Sequence, residues 1–365
     1  MSTLKVDGIR SNSASSDAIT LADNGTCTAN ITNKPNRNLI INGAMQVAQR
    51  GTSSTSDGYL IDRFNVYDGA SLDEACTREQ VDVASGTTPY TLGFRKALKL
   101  TNGNQTSGAQ ASDNVQIIHK LEAQDIANSG WNYLSASSYI TLSFWVKSSV
   151  AQNFYVYLRT HDGTGQRYAF ETGSLSADTW TKVTKTISGN SNLQFDNNVE
   201  TGFEINISPY WGTNYTDSGV SLNAWAAYAS GTRTPDFTTT WFTTNDATFE
   251  VTGLQLEVSD HSTDFEHRSY GQELQLCQRY YEENNCTWAG YTAAAQGNGS
   301  LNVTYMTPKR AAPTLSVKTA ANSVQNLTSQ NLQDGKIGSF VVDTRINSNG
   351  YGRFYDLLAA SNAEL

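Results

Sequence analysis

Short runs in which apolar and polar residues alternate are the feature that most limits how this chain can fold. In residues 139–147 the even-numbered positions are apolar and the odd-numbered ones form a second face, and residues 153–159 repeat the pattern. A period of two residues is that of a β-strand with one buried face. The same pattern predicts five further strands, at residues 97–100, 115–121, 180–187, 203–207 and 249–258. Many short strands with turn residues between them predict an all-β sandwich.

The apolar face of the last of these strands changes phase at Gly253. Phe249 and Val251 are odd-numbered, whereas Leu254 and Leu256 are even-numbered. One extra residue in a strand produces such a shift, and glycine is common at that position. The sequence therefore predicts a β-bulge at Gly253.

Residues 269–283 carry the one convincing helical pattern in the chain. Ser269 can accept a backbone N–H bond as the N-cap, and Glu273 places a carboxylate in the first turn. The main apolar stripe, at helical spacing, is formed by Tyr270, Leu274, Cys277 and Tyr281. Leu276 and Tyr280 add a second apolar face, so we expect the helix to be covered from two sides. That arrangement favours a junction between two domains.

The length of 365 residues suits roughly two domains. We expect an extended leader over residues 1–37, a sandwich over 38–268, the junction helix over 269–283 and a small β domain over 284–365. The leader alternates only in short pieces, and two short strands cannot bury a core alone. It is either a disordered tail or, as we favour, a segment that gains its partners from other subunits. Candidate strands of the small domain are residues 301–305, 315–317, 338–342 and 351–358.

The composition excludes several classes of protein. Only 16% of residues are charged, and glycine, serine, threonine and asparagine are abundant, which is typical of a polar-surfaced extracellular or virion protein. A net charge of −9 offers no basic surface for nucleic acid or an anionic membrane. No apolar run approaches the roughly 20 residues of a membrane span, and the N-terminus lacks a signal peptide's apolar core. The cysteines could form two disulfides, but synthesis in a reducing cytosol favours free thiols. They are Cys27, Cys76, Cys277 and Cys286.

Three blocks of sequence resemble segments of bacteriophage tail-fibre and related receptor-binding virion proteins. They are NLIINGAM with QRG and YLIDRF (within 38–64), DFEHRSYGQELQLCQRYY (264–281) and TPKRAAPTLSV (307–317). The segment ITLSFWVKSS and the later segment TWTKVTKTISG resemble jelly-roll carbohydrate-binding modules. This resemblance covers roughly residues 38–268. The resemblance implies a jelly-roll sandwich in a virion appendage, assembled in the host cytoplasm as an intertwined homotrimer. It also implies contacts with other tail or capsid proteins and attachment to host surface polysaccharide.

Aromatic residues in predicted loops are the candidate glycan-binding site. Sugar rings present flat C–H faces that stack on aromatic rings, and nearby Asn and Asp side chains can hydrogen-bond their hydroxyls. Subunit contacts and core packing at the ends of the sandwich are the alternatives. The candidates are Trp131 and Tyr133 in NSGWNYLSASS, Trp211 and Tyr215 in SPYWGTNYTDSG, and Trp225 and Tyr228 just beyond.

The segment DHSTDFEHRSY brings two histidines and three carboxylates within a few positions. These groups could bind a metal, and jelly-roll modules often carry calcium. Arg268 can instead neutralise Glu266 or Asp264, so we favour a salt-bridged closure of the domain without a metal. The titratable residues concerned are Asp260, His261, Asp264, Glu266 and His267.

Signatures of catalysis are weak. GxSxG, P-loop and HExxH patterns are absent from the sequence, and spacing locates no pair of glycosidase carboxylates. His161, Asp162 and Gly163 have the composition of a solvated turn. We therefore expect no catalytic residues, no cofactor and no enzyme activity. A purely structural decoration protein and a polysaccharide depolymerase are the alternatives to a host-attachment fibre.

Overall fold

Antiparallel β-strands account for most of the fold. The computed structural model describes residues 6–13, 15, 17–29, 35–69, 71–293 and 295–365. The predictions for the leader fall partly on residues 1–5, 14, 16 and 30–34, which lie outside this set. The leader contributes β1 (Gly8–Ile9), β2 (Ile19–Leu21) and β3 (Cys27–Ala29), which form a three-stranded sheet of their own.

Residues 53–257 form a sandwich of two antiparallel sheets, as predicted. The strands are β4 (Ser53–Ser54), β5 (Gly58–Tyr59), β6 (Phe64–Asp68), β7 (Thr77–Asp82), β8 (Lys96–Thr101), β9 (Asn114–Glu122), β10 (Tyr139–Ser148), β11 (Asn153–Thr160), β12 (Gln166–Ser174), β13 (Thr181–Ser188), β14 (Thr201–Trp211), β15 (Trp225–Ala227) and β16 (Thr248–Glu257). One sheet has six strands in the order β13-β10-β16-β8-β7-β4, and the other has seven in the order β15-β12-β11-β14-β9-β6-β5. Three short helices connect them: α1 (Thr88–Thr91), α2 (Ala123–Ala127) and α3 (Thr240–Thr243).

The core of the sandwich lies between the two sheets. The apolar faces predicted for β10 and β11 are confirmed, because all their members are fully buried. Each such side chain contributes about 1.5–3 kcal/mol when it is removed from water. These residues are Ile140, Leu142, Phe144 and Val146 in β10, and Phe154, Val156 and Leu158 in β11.

The predicted bulge at Gly253 is confirmed. Thr252 pairs with Trp145, but Gln255 pairs with Ser143, so β16 has one extra residue at this point. Gly253 adopts a φ of +67°, in the left-handed region that favours glycine. A Cβ atom here would lie 2.7 Å from the Cζ atom of Phe94, so the site also demands the absence of a side chain.

The helix α4 (Tyr270–Gln278) is the longest in the described part of the chain. Ser269 caps it as predicted, in a reciprocal capping box with Gln272. Two details of the prediction are wrong. The helix ends before residue 279, because the following residues enter a strand. The covered stripe is also narrower, since Tyr270 is 56% and Leu276 37% exposed, whereas Cys277 and Tyr281 are buried and Leu274 is half-buried.

Residues just after α4 bind the sandwich closely. Arg279 donates two hydrogen bonds of 2.7 Å to the carboxylate of Glu122, at the end of β9. Tyr280 donates a third, also of 2.7 Å, and the guanidinium of Arg63 lies 3.5 Å from the centre of its ring. The chain therefore leaves the helix through a buried, charged contact with the sandwich.

The small β domain has the strands β17 (Tyr281–Thr292), β18 (Asn298–Thr304), β19 (Thr314–Thr319), β20 (Asn322–Gln325), β21 (Leu327–Gln333), β22 (Ser339–Ile346) and β23 (Gly350–Asn362). In the described residues they form two further sheets. The first has the order β17-β23-β19, with β20 also paired to β23, and the second has the order β18-β22-β21. The core of the domain includes Phe340, Val342, Phe354 and Leu357.

Each of the four cysteines is a free thiol. Cys27 is exposed on the leader, while Cys76, Cys277 and Cys286 are buried. Burial raises the pKa of the Cys286 thiol to about 11 and that of Cys76 to about 12. The two thiols are thus protonated and unreactive near neutral pH.

Candidate functional site

The six aromatic candidates occupy three different environments. Trp131 and Trp211 are only 3% and 1% exposed, so the expectation that they lie open on loops is wrong. Trp131 packs with Tyr133 and Phe195, each at a centroid distance of 6.2 Å. Trp211 is the last residue of β14 rather than a loop residue. Core packing, the alternative to glycan binding, describes the environment of both indoles.

Trp211 belongs to an aromatic layer on the outer face of the seven-stranded sheet. Tyr157 points to this face because its neighbours in β11 point into the core. Its ring lies 5.4 Å from Trp211 and 6.4 Å from Tyr228. Phe237 packs 5.0 Å from Tyr155 and 6.4 Å from Trp211, so residues 212–239 fold back over this face. Two predicted candidates, Trp211 and Tyr228, are brought together here.

Trp225 has a different environment, at the edge of the same sheet. β15 pairs with the start of β12, with Trp225 opposite Tyr168 and Ala227 opposite Gln166. The indole Nε1 donates a 2.8 Å hydrogen bond to the carbonyl of Ser188, at the end of β13 in the other sheet. Ring contact with Tyr168, at 5.2 Å, fixes the indole further. The ring is therefore held across the gap between the two sheets while remaining half-buried.

We call the depression beside this ring the edge cleft. It has a volume of about 430 Å³, within the range of small-ligand sites. The side chains of Thr164, Asn192 and Gln194 are exposed there, whereas Gln166 is buried and donates a 2.9 Å hydrogen bond to the carbonyl of Thr164. The arrangement offers one aromatic ring together with hydroxyl and amide groups. Its lining residues are Thr164, Gln166, Asn192, Gln194, Trp225, Ala226 and Ala227.

Two carboxyl groups lie next to the edge cleft. Gln194 donates a 3.2 Å hydrogen bond to Asp196, whose backbone N–H in turn donates to Asp162 at 3.0 Å. Burial raises the pKa of Asp162, and the negative charge of Asp196 raises it further. The turn containing Asp162 is thus less solvated than its composition predicts.

Tyr215 and Tyr133 are half-buried and engaged with other side chains. The guanidinium of Arg233 lies 5.0 Å from the ring of Tyr215, and Phe195 packs edge-on against Tyr133 at 5.0 Å. Trp225 is therefore the one candidate that lines the edge cleft. The polar lining cannot be identified from the sequence, since Thr, Asn and Gln are common throughout this chain.

Residues 260–268 close the sandwich by ion pairs and hydrogen bonds. Arg268 lies 3.6 Å from the carboxylate of Glu266 and 3.5 Å from that of Glu273. Glu266 accepts backbone hydrogen bonds from Asn36 and Asn38, at 2.5 and 2.7 Å. The predicted neutralisation of Glu266 by Arg268 is confirmed. Over the described residues, no group of three His, Cys, Asp or Glu side chains is arranged to hold a metal ion.

A second cleft lies on the outer face of the six-stranded sheet, with a volume of about 250 Å³. Trp145, Phe94 and Phe265 provide its aromatic wall. His267 closes one side, where its Nε2 atom is 2.8 Å from the carbonyl oxygen of Leu92. Because Phe94 and Phe265 pack edge to face at 4.9 Å, this cleft is more apolar than the edge cleft.

None of the helices in the described part of the chain has the length and apolar character that a membrane span requires.

Comparison with known proteins gives matches to solved structures. No protein-family model matches the chain, and no curated protein does. The chain is similar to the enzymatically active domain of tailspike protein 4 of bacteriophage CBA120, with 11% identity and a TM-score of 0.32 over 63% of the chain. It spans 24% of the length of that tailspike structure.

Two further matches are to sugar-binding proteins. A family 61 carbohydrate-binding module, solved with β-1,4-galactotriose, is 11% identical with a TM-score of 0.28, over 61% of this chain and 99% of the module. A putative sugar-binding protein of Bacteroides thetaiotaomicron is 12% identical with a TM-score of 0.32, over 61% of this chain and all of that protein.

Proposed function

We propose that this protein binds glycans through the edge cleft and, as a structural component of a bacteriophage virion, attaches the particle to its host surface. The observation that carries the proposal is the half-buried Trp225 ring, fixed by Ser188 and Tyr168, beside exposed amide and hydroxyl groups. A fixed ring stacks on a sugar at little cost in side-chain entropy, and the amides can both donate to and accept from hydroxyls.

The virion location is supported by the three sequence blocks that resemble phage fibres. Two of them meet in the fold, because Arg268 donates to the backbone carbonyls of Asn38 and Ile40. The blocks are therefore parts of one closure rather than separate motifs. We propose a tail fibre or similar fibre that is homotrimeric and contacts other tail or capsid proteins.

The proposed activity is binding without catalysis. Among the described residues that line the edge cleft, none carries a carboxyl group, and both glycosidase mechanisms need a pair of them at the scissile bond. Amide groups can orient a sugar but cannot exchange protons with a leaving group at neutral pH.

Binding of the wild-type protein and of Trp225→Ala to a panel of isolated bacterial surface polysaccharides tests this proposal. We expect the variant to lose about tenfold or more in affinity. The stacking of a nucleic-acid base on one aromatic side chain contributes about 1–3 kcal/mol, and we expect a sugar ring to behave similarly. Trp288→Ala, which removes a half-buried indole from the small domain, is the matched control and should bind normally. Equal binding by Trp225→Ala, or loss of binding in Trp145→Ala alone, would place the site elsewhere.

A polysaccharide depolymerase is the second candidate, and the contact between Asp162 and Asp196 favours it. A raised pKa is what a general acid requires, and Asp162 has one beside the edge cleft. Reducing ends released from the same polysaccharides measure this activity. Release by the wild type that disappears in Asp162→Asn would replace the binding proposal with the enzymatic one.

A further inference from the structure

Two amide side chains of the edge cleft keep their oxygens free while their nitrogens are engaged. Gln166 is only 3% exposed, and its amide nitrogen donates to the backbone carbonyls of Thr164 and Gly165, at 2.9 and 3.4 Å. One N–H of Gln194 is engaged with Asp196, 3.2 Å away. Within the described residues, the amide oxygens of Gln166 and Gln194 accept no hydrogen bond. Each oxygen has two lone pairs, so the cleft suits a ligand rich in donors.

The burial pattern of residues 192–196 sets one polar row along the edge cleft. The odd-numbered residues of this segment are buried in the core of the sandwich, whereas Asn192, Gln194 and Asp196 are exposed. Alternate burial is the pattern of an extended segment, in which every second side chain points to the same side. Asp196 therefore lies on the side from which Asn192 and Gln194 line the cleft, and its contact with Gln194 keeps it there.

Asp196 and Asp162 form a pair of carboxyl groups without a lysine or arginine partner. The backbone N–H of Asp196 donates a 3.0 Å hydrogen bond to the carboxylate of Asp162. Neither aspartate forms an ion pair within the described residues, and the neighbouring His161 pairs with Glu204 instead, at 3.1 Å. Burial raises the pKa of Asp162, and the negative charge of Asp196 raises it further. The end of the polar row thus carries negative charge that a cationic group on a ligand would neutralise.

We propose that the edge cleft takes a glycan that contains an amino sugar with a free ammonium group. One sugar ring stacks on Trp225, the hydroxyls donate to the free amide oxygens, and the ammonium group of the same or the next sugar pairs with Asp196. An ammonium group has three donors and no acceptor, which matches this lining, whereas a carboxylate on the glycan would only accept. The net charge of −9 also favours the approach of a cation. This inference rests on the proposed glycan-binding function and names the chemical class of the ligand.

Three short oligosaccharides with one backbone and different groups at C2 test the proposal. They are β-1,4-linked oligomers of glucose, N-acetylglucosamine and glucosamine, which carry a hydroxyl, an acetamido and an ammonium group at that carbon. Calorimetry at about pH 6, where carboxylates are charged and amines protonated, measures the affinities. We expect the glucosamine oligomer to bind about fivefold more tightly than the other two, as one exposed ion pair allows. Added salt should reduce this preference.

Variants of two exposed aspartates locate the preference. Asp196→Asn keeps the shape of the side chain but removes its charge, and should abolish the preference for the ammonium group. Asp178→Asn is the matched control and should keep it, because Asp178 is exposed beyond the end of β12, whereas the edge cleft lies at the start of that strand. Asp162→Asn is a second test variant and should weaken the preference. Trp225→Ala should weaken the binding of all three oligomers.

Other results separate this inference from the proposed function. Equal affinity for the three oligomers, tighter binding of an uncharged one, or an ammonium preference that survives in Asp196→Asn would overturn the inference. The glycan function would still stand if that binding needs Trp225. Failure to bind any of the three oligomers also overturns the inference, whereas the proposed function is then decided by the bacterial surface polysaccharides.

Discussion

Arg279 and Glu122 form a two-pronged ion pair, with two N–H···O distances of 2.7 Å, between the C-terminal end of α4 and the end of β9. The side chain of Glu122 is fully buried, whereas that of Arg279 is 31% exposed. Burial alone would raise the pKa of Glu122, but the hydrogen bonds from Arg279 and Tyr280 outweigh it and hold the pKa below its ordinary value. The carboxylate is thus stabilised in its charged form at the contact of the two domains.

Glu122→Gln should lower the free energy of unfolding by about 3 kcal/mol at neutral pH, since it leaves Arg279 without a charged partner. The folded pKa of Glu122 is below the unfolded one, so its stabilisation is complete above the ordinary value of 4.5 and is lost as the pH falls below it. Denaturant unfolding at neutral pH and at acid pH measures both effects. The variant's deficit should shrink in acid.

Glu283→Gln serves as the matched control, because Glu283 pairs with Lys318 nearer the surface. Exposed pairs contribute roughly 0–1 kcal/mol, so this variant should unfold almost like the wild type. Equal stabilities for the two variants would show that the Arg279–Glu122 contact does not hold the domains together.

Trp211→Ala should destabilise the sandwich by about 3–5 kcal/mol, the usual cost of truncating a large buried aromatic residue. The ring is packed between Tyr157 and Phe237, so its loss leaves a cavity in the layer on the seven-stranded sheet. Trp225→Ala removes a half-buried ring and should cost less. Thermal unfolding of the two variants measures the difference, and an unchanged transition in Trp211→Ala would contradict the buried position.

Gly253→Ala should destabilise the protein by more than about 1 kcal/mol, because the position requires both a positive φ and an empty Cβ site. Gly271→Ala is an informative control. Gly271 lies in α4 with no neighbouring atom within 4 Å of an added Cβ, so alanine should stabilise the helix by about 0.5–1 kcal/mol. Opposite signs of the two effects in denaturant unfolding are the expected outcome.

Alternation predicted the sandwich strands well because each has one side against the core. The phase change at Gly253 even located a bulge. The end of α4 could not be predicted in this way, since Tyr281 is apolar at helical spacing yet pairs with Asn362 in β23. Long-range pairing overrides a local periodicity, and nothing near residue 281 reveals the partner strand.

The candidate site was predicted only in part. Trp225 was among the aromatic candidates. The sequence does not reveal that Trp225 is half-buried in an edge strand while Trp211 is buried at the end of β14, because both depend on the bounds and pairing of the strands. The amides lining the edge cleft come from separate loops, so their proximity depends on the whole fold.

Lys309 and Glu282 form a buried pair at 2.5 Å inside the small domain. Lys309→Met should cost about 3–5 kcal/mol, because it leaves a buried carboxylate without its counter-charge. The double variant Lys309→Met/Glu282→Gln should recover part of that loss. A double variant as unstable as the single one, in denaturant unfolding, would mean that the lysine acts through packing alone.

The leader should support a homotrimer. The described side chains of β1 and β2 are exposed or half-buried, and Ile9 and Leu21 present apolar side chains to solvent. Light scattering of the wild-type protein should give three times the mass of one chain at micromolar concentration. Removal of residues 1–37 should weaken assembly while the thermal transition of the sandwich is retained. A monomer mass for the full chain would contradict this prediction.

Strand β23 pairs with β17, β19 and β20, all of which precede it in the chain. A ribosome therefore releases β17 long before its partner exists, while the sandwich is already able to close. Until β23 emerges, the edge of β17 is open to pairing with other chains, including identical ones on the same messenger. The order of strands thus makes late translation a period in which this protein is exposed to misassembly.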